Sequence, residues 1–102
     1  MTTAHEAEVM EAARSGNLHA LRQLLPPAGD AKAIVGPDGI TPLMLAAAGG
    51  HEAVVEFLLE HGADPARRDA EGRSSAAHAR AAGHSHLAVR LDGVVDQEKR
   101  LW

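Results

Sequence analysis

Asp38-Gly39-Ile40-Thr41-Pro42-Leu43-Met44-Leu45-Ala46-Ala47 carries the reading of this chain, because its pattern returns 33 residues later, where Glu71-Gly72 takes the place of Asp38-Gly39. At that offset Thr41 falls on Ser74, Ala46 on Ala79, Gly50 on Gly83 and His51 on His84. A repeat of this length marks supersecondary units that cannot bury their apolar faces alone. Such units stack, and the product is an open, extended wall suited to holding another macromolecule.

In the middle unit, residues 38 to 70, each signal has a local cause. Asp38-Gly39 is a turn dipeptide, Thr41 offers a hydroxyl N-cap, and Pro42 stands at the first helical position, where a missing N–H costs nothing. The spacing predicts a short helix from Pro42 to about Ala48 and a break at Gly49-Gly50. A second helix follows from about Glu52 to His61, with Val54, Val55, Leu58 and Leu59 on one buried stripe. Gly62 ends it in a left-handed cap, and Ala63-Asp64-Pro65 leads into a hairpin-like finger.

Residues 5 to 37 form an earlier copy at an offset of 34: Ala12 to Asn17 precede Ala46 to His51, and Leu21, Leu24 and Leu25 precede Val55, Leu58 and Leu59. The one extra residue falls between Pro26 and Pro37. A third copy, residues 71 to 92, replaces Thr-Pro with Ser74-Ser75, puts Arg80 in place of an alanine, and sets Arg90 and Asp92 where Phe57 and Leu59 stand. Polar residues there suit the end of a stack, which has no neighbour to cover it. A tail, residues 93 to 102, keeps the helical spacing of Leu87, Leu91, Val94, Val95, Glu98 and Leu101, so the last helix is expected to cross Gly93 and run to about Arg100.

Composition narrows the function. The 102 residues make one domain with a modest core, and Phe57 and Trp102 are its sole Phe, Tyr or Trp side chains, so that core is built from Ala, Leu and Val. Small, closely approaching helices leave little room for a deep pocket, and no cofactor is expected. There is no cysteine, hence no disulfide, thiolate metal site or cysteine nucleophile. An N-terminus with Glu6, Glu8 and Glu11 and the lack of a long apolar run point to a soluble, cytoplasmic protein. A formal net charge of −4 argues against general binding to nucleic acid or to an anionic membrane.

These motifs resemble the ankyrin repeat: Asp38-Gly39-Ile40-Thr41-Pro42-Leu43, then Ala46-Ala47, Gly50-His51, Val54-Val55, Leu58-Leu59 and Gly62-Ala63-Asp64. The resemblance covers roughly residues 5 to 92, closest in the middle copy. It implies an all-α solenoid of three stacked helix-turn-helix units with projecting loops, and a concave face made of fingertips and first helices, where a partner protein binds. Carried across by position, that face includes Arg14 and Ser15 in the first repeat, Pro37, Asp38, Ile40 and Ala48 in the second, and Arg68, Ala70, Glu71, Arg73 and Ala81 in the third. Met44 departs from the family pattern, which often has a histidine there bonding to the hairpin backbone, so a less rigid hairpin is expected.

Arg67, Arg68 and Arg73 form the sharpest charge cluster, flanking Asp69 and Glu71. It reads either as a fingertip patch for an acidic partner or as a solvated loop whose charges cancel. Seven histidines raise a metal reading through His78, His84 and His86. Against it, His51 and His84 share one repeat position, just past the glycine after the first helix, where a ring nitrogen serves the inter-helix loop. Ser74-Ser75 with His78 lacks the acid and oxyanion hole that nucleophilic catalysis needs; Ser74 is better read as an N-cap. Trp102 and Arg100 are interface-type residues, so the tail either caps the stack or binds, and contact with another copy would make a weak homodimer. The expected function is non-catalytic protein recognition, as an adaptor or a regulator. A self-associating scaffold built through the C-terminal helix is the alternative, and histidine-mediated metal response a weaker one.

Overall fold

The computed structural model describes residues 4–25 and 34–100, with the side chains at 4 and 96–100 excepted. Among them are six α-helices: α1 (Ala4–Ser15), α2 (Leu18–Leu24), α3 (Pro42–Ala48), α4 (Glu52–Glu60), α5 (Ser75–Ala81) and α6 (Ser85–Arg100). A 3-10 turn spans Pro37–Gly39. Extended pairing among the described residues is limited to one antiparallel bridge, Arg68 to Ser74. The all-α expectation holds.

The helices α2, α3 and α5 each start where a short polar side chain closes the first turn. Thr41 is extended (φ −113, ψ 161), its Oγ1 accepts from the Met44 N–H at 3.2 Å, and Pro42 follows. Ser74 repeats the arrangement for α5, accepting from the Ala77 N–H at 3.3 Å. Asn17 caps α2 through the Ala20 N–H at 3.1 Å, a cap the sequence reading did not single out. Each such bond satisfies an N–H that the helix itself leaves open. Gly62 closes α4 at φ 88, in the left-handed region.

The helices pair as α1/α2, α3/α4 and α5/α6, with α3 packed between α1 and α5 and with α2 against α4. Alanines make the close approach between inner helices possible: Ala12, Ala13, Ala46, Ala47, Ala76 and Ala79 are buried. Leu21, Leu58 and Leu91 are fully buried as well, and they occupy the outer helices. Burial of one such leucine contributes roughly 1.5–3 kcal/mol. The last helix crosses Gly93 and ends at Arg100, as the spacing predicts. The Pro26–Pro37 connection with its extra residue lies largely outside the described residues, as do Leu101 and Trp102.

The ring nitrogen of His51 serves the last turn of α1, not the loop after its own first helix. His51 reaches back to the preceding unit, where its Nε2–H donates to the Arg14 carbonyl at 3.1 Å. A side-chain carbon at Gly16 would lie 2.5 Å from the His51 ring, and one at Gly50 would lie 2.7 Å from the ring of His84. Gly16 and Gly50 also hold φ of 77 and 72. Each histidine therefore lies across the glycine of the unit before it, tying successive repeats together.

Candidate functional site

Two fingers project from the stack. In the first, the Gly36 N–H donates to the Ile40 carbonyl at 2.7 Å and the Ile40 N–H to Pro37 at 3.2 Å, with Asp38 in the left-handed region at φ 60. The second matches it, with the Asp69 N–H donating to Arg73 at 3.0 Å. The Ala70 N–H then donates across to the Asp38 carbonyl at 2.8 Å, so the fingers form one continuous edge. Met44 is buried, and among the described residues the first finger is held by these backbone bonds.

Asp69 organises the second finger. Its side chain is 2% exposed. Oδ1 accepts from the Glu71 N–H at 2.9 Å and the Arg73 N–H at 3.0 Å, and Oδ2 accepts from His78 Nε2–H at 2.8 Å. The backbone donor of Arg73 foremost, then His78, Glu71 and the Arg73 charge, hold the carboxyl below the usual aspartate range, against the opposing effect of burial. Around this brace, Arg68 donates to the Gly72 carbonyl at 2.8 Å, while Arg73 pairs with Glu71 at 3.2 Å and with Asp69 at 3.6 Å. Part of the arginine charge is thus answered within the finger, while Arg67, Arg68, Glu71 and Arg73 remain exposed.

Beside the first finger lies a shallow concavity of about 300 Å³ lined by Ala7, Met10, Glu11, Arg14, Pro37 and Leu45. Its floor is mainly apolar, and Glu11 and Arg14 pair at its rim, with Arg14 Nε donating to Glu11 Oε2 at 2.9 Å. Ala7, Met10, Glu11 and Arg14 follow one another at helical spacing on the face of α1 opposite its buried side. That stripe was readable in the sequence. The Asp69–His78 contact was not, since nothing in the spacing of these two residues links a loop carboxylate to a helical imidazole.

The structure groups the expected site residues into three places. Arg14 and Pro37 meet at the concavity; Asp38 is exposed and Ile40 half-buried on the first finger; Arg68, Ala70, Glu71 and Arg73 share the second. Ala48 and Ala81 end the two inner helices α3 and α5, half-buried and exposed. Ser15 turns elsewhere: its Oγ donates to the Ala12 carbonyl at 3.3 Å and it lines a hollow at the N-terminal end of the stack. Trp102 lies outside the described residues. The histidines of the metal reading are not gathered: among the described residues no three His, Cys, Asp or Glu side chains converge as a metal ion requires. His78 is bonded to Asp69, Ser74 caps α5, and Ser75 is buried. No helix among the described residues is long and apolar enough to cross a membrane.

Comparison with known proteins agrees with this architecture. A family model described as ankyrin repeats (3 copies) matches residues 9–91. The chain is 41% identical over 78 residues to the ARF GTPase-activating protein GIT1 of Homo sapiens, covering 76% of this chain and 10% of that protein. It is 37% identical over 67 residues to the 2-5A-dependent ribonuclease of Mus musculus, covering 66% of this chain and 9% of that protein. With Ankyrin repeat family A protein 2 of Mus musculus it shares 62% identity over 39 residues, 38% of this chain and 12% of that protein. The chain thus spans about a tenth of the length of the curated relatives it matches. With three stacked helix pairs, a joined row of fingers and this match along most of its length, the chain belongs to the ankyrin-repeat family.

Proposed function

We propose that this chain is a non-catalytic recognition module, an adaptor or regulator that holds a protein partner on its concave face between Arg14 and Arg73. One observation carries the reading. The fingers are joined edge to edge through Ala70 and Asp38, and the first of them borders an apolar concavity with the Glu11–Arg14 ion pair at its rim. A braced edge that needs little ordering on binding, next to an apolar hollow and exposed charges of both signs, favours a protein surface as its ligand. The family supports this as well, since ankyrin repeats are generally protein-interaction modules. A cytoplasmic setting belongs to the same reading.

The test is retention of a partner from a lysate of the source organism, followed by titration with the identified protein. Ala7 is exposed at the concavity, so Ala7→Arg fills it without entering the core. Glu71→Arg reverses charge on the second finger. Each is expected to weaken binding at least about tenfold, whereas Glu52→Arg at the start of an outer helix leaves it unchanged. Equal loss from all three, or from none, removes the concave face from consideration.

A further inference from the structure

The two ends of the stack differ, and the repeat register shows how. Ala47 and Leu59 of the middle repeat correspond to Ala13 and Leu25 in the first and to Arg80 and Asp92 in the third. Ala13, Leu25 and Ala47 are buried and Leu59 half-buried. Arg80 and Asp92, on the last unit, instead pair with each other at 2.8 Å with their side chains 58% and 53% exposed. Nearby on α6, Val89 is 69% exposed, alone in this among the large hydrophobic side chains described. Val89 takes the place that Glu56 has in α4, and Glu56 reaches forward to an ion pair with Arg90 of the next repeat. Val89 therefore points off the C-terminal end, towards the position Arg90 would hold in a following unit. In the first repeat that position is Gln23.

The opposite end presents a hollow of about 350 Å³ whose lining includes Glu8, Glu11, Ala12, Ala20, Gln23 and Leu24. Ala12, Ala20 and Leu24 match Ala46, Val54 and Leu58 in the second repeat and Ala79, Leu87 and Leu91 in the third, all no more than 2% exposed. In the first repeat Ala20 and Leu24 are only half-buried. Where His51 and His84 reach back over a preceding glycine, the first repeat has Asn17, whose side chain caps its own helix.

We propose that the chain self-associates head to tail: the C-terminal end of one copy stacks on the N-terminal end of a second copy in continuing repeat register. This seats Val89 beside Gln23, over Ala20 and Leu24, and brings Arg80 on one inner helix to Glu8 and Glu11 on the other. The contact covers an exposed apolar side chain and opposes unlike charges. Because it joins two different surfaces, it propagates instead of closing at a dimer. The proposal is independent of the concave-face reading, and either can fail alone.

Sedimentation velocity on the full chain at low salt, from micromolar to millimolar concentration, tests it. Val89→Lys blocks one end, and Glu8→Lys/Gln23→Lys blocks the other, with like charges at the two blocked ends; all three residues are exposed, and circular dichroism checks that each variant is folded. Wild type is expected to form species that grow with concentration, and each variant alone to associate at least about tenfold more weakly. Mixed, the two variants are expected to give a dimer that grows no further, since each retains one intact end. A wild-type monomer at millimolar concentration overturns the proposal, as does wild-type assembly that stops at two copies, or a mixture that fails to associate.

Discussion

Ser75 and Asp69 show how single residues set the quality of a repeat. Ser75 is fully exposed nowhere along its side chain: it is 0% accessible, and its Oγ has no hydrogen-bond partner. It stands at the first position of α5, where α3 has the buried Pro42. Ser74 before it has φ −84 and ψ 175, the extended form a residue preceding proline adopts. Ser75→Pro is therefore expected to stabilise the protein by about 0.4–1 kcal/mol through the unfolded chain, with removal of the orphaned hydroxyl adding to it, as measured by urea unfolding. Asp69 acts in the opposite sense. Its folded pKa is lowered, so the stability it confers is complete above the unfolded aspartate value of about 3.9 and is lost as pH falls through the folded one. Asp69→Asn is expected to lower Tm at neutral pH, and its deficit against wild type to shrink below about pH 4. A deficit that does not change with pH would show that the carboxylate charge contributes nothing.

At the scale of the element, the helix pairs are joined through glycines as much as through leucines. Gly50 and Gly83 both hold positive φ, 72 and 89, so an alanine at either meets the same left-handed backbone strain. Their surroundings differ. A side-chain carbon at Gly50 meets the His84 ring at 2.7 Å, while one at Gly83 meets nothing within 4 Å. Gly83→Ala is expected to cost about 1–2 kcal/mol from backbone strain alone. Gly50→Ala is expected to cost clearly more, since the imidazole must leave its place between repeats. Equal losses in parallel urea titrations would mean the histidine does not join the units. In the third unit the helix pair carries Arg80, on α5, and Asp92, on α6, in place of apolar side chains.

For the whole molecule, stability is shared along the stack, because each unit buries its apolar side only against a neighbour. Leu58 sits at 0% exposure in the middle repeat. Leu58→Ala is expected to cost about 2–5 kcal/mol and to lower a single unfolding transition seen by circular dichroism. Separate transitions for the two ends would show that the repeats fold independently. Much of this architecture was legible in the sequence: the repeat period is visible in the chain itself, while the Thr41 and Ser74 caps, the Gly62 stop and the passage of the last helix through Gly93 follow from local preferences. These depend only on neighbours within one or two turns, so the sequence by itself determined the helices, their order and their membership of the ankyrin-repeat family. Which histidine reaches which glycine, how Asp69 braces a finger with His78, the meeting of Met10 with Pro37 and Leu45, and the exposure of Val89 at one end were decided only by the tertiary structure. They join residues from different units, and such distances are set by how closely alanine-lined helices pack, which no local spacing encodes.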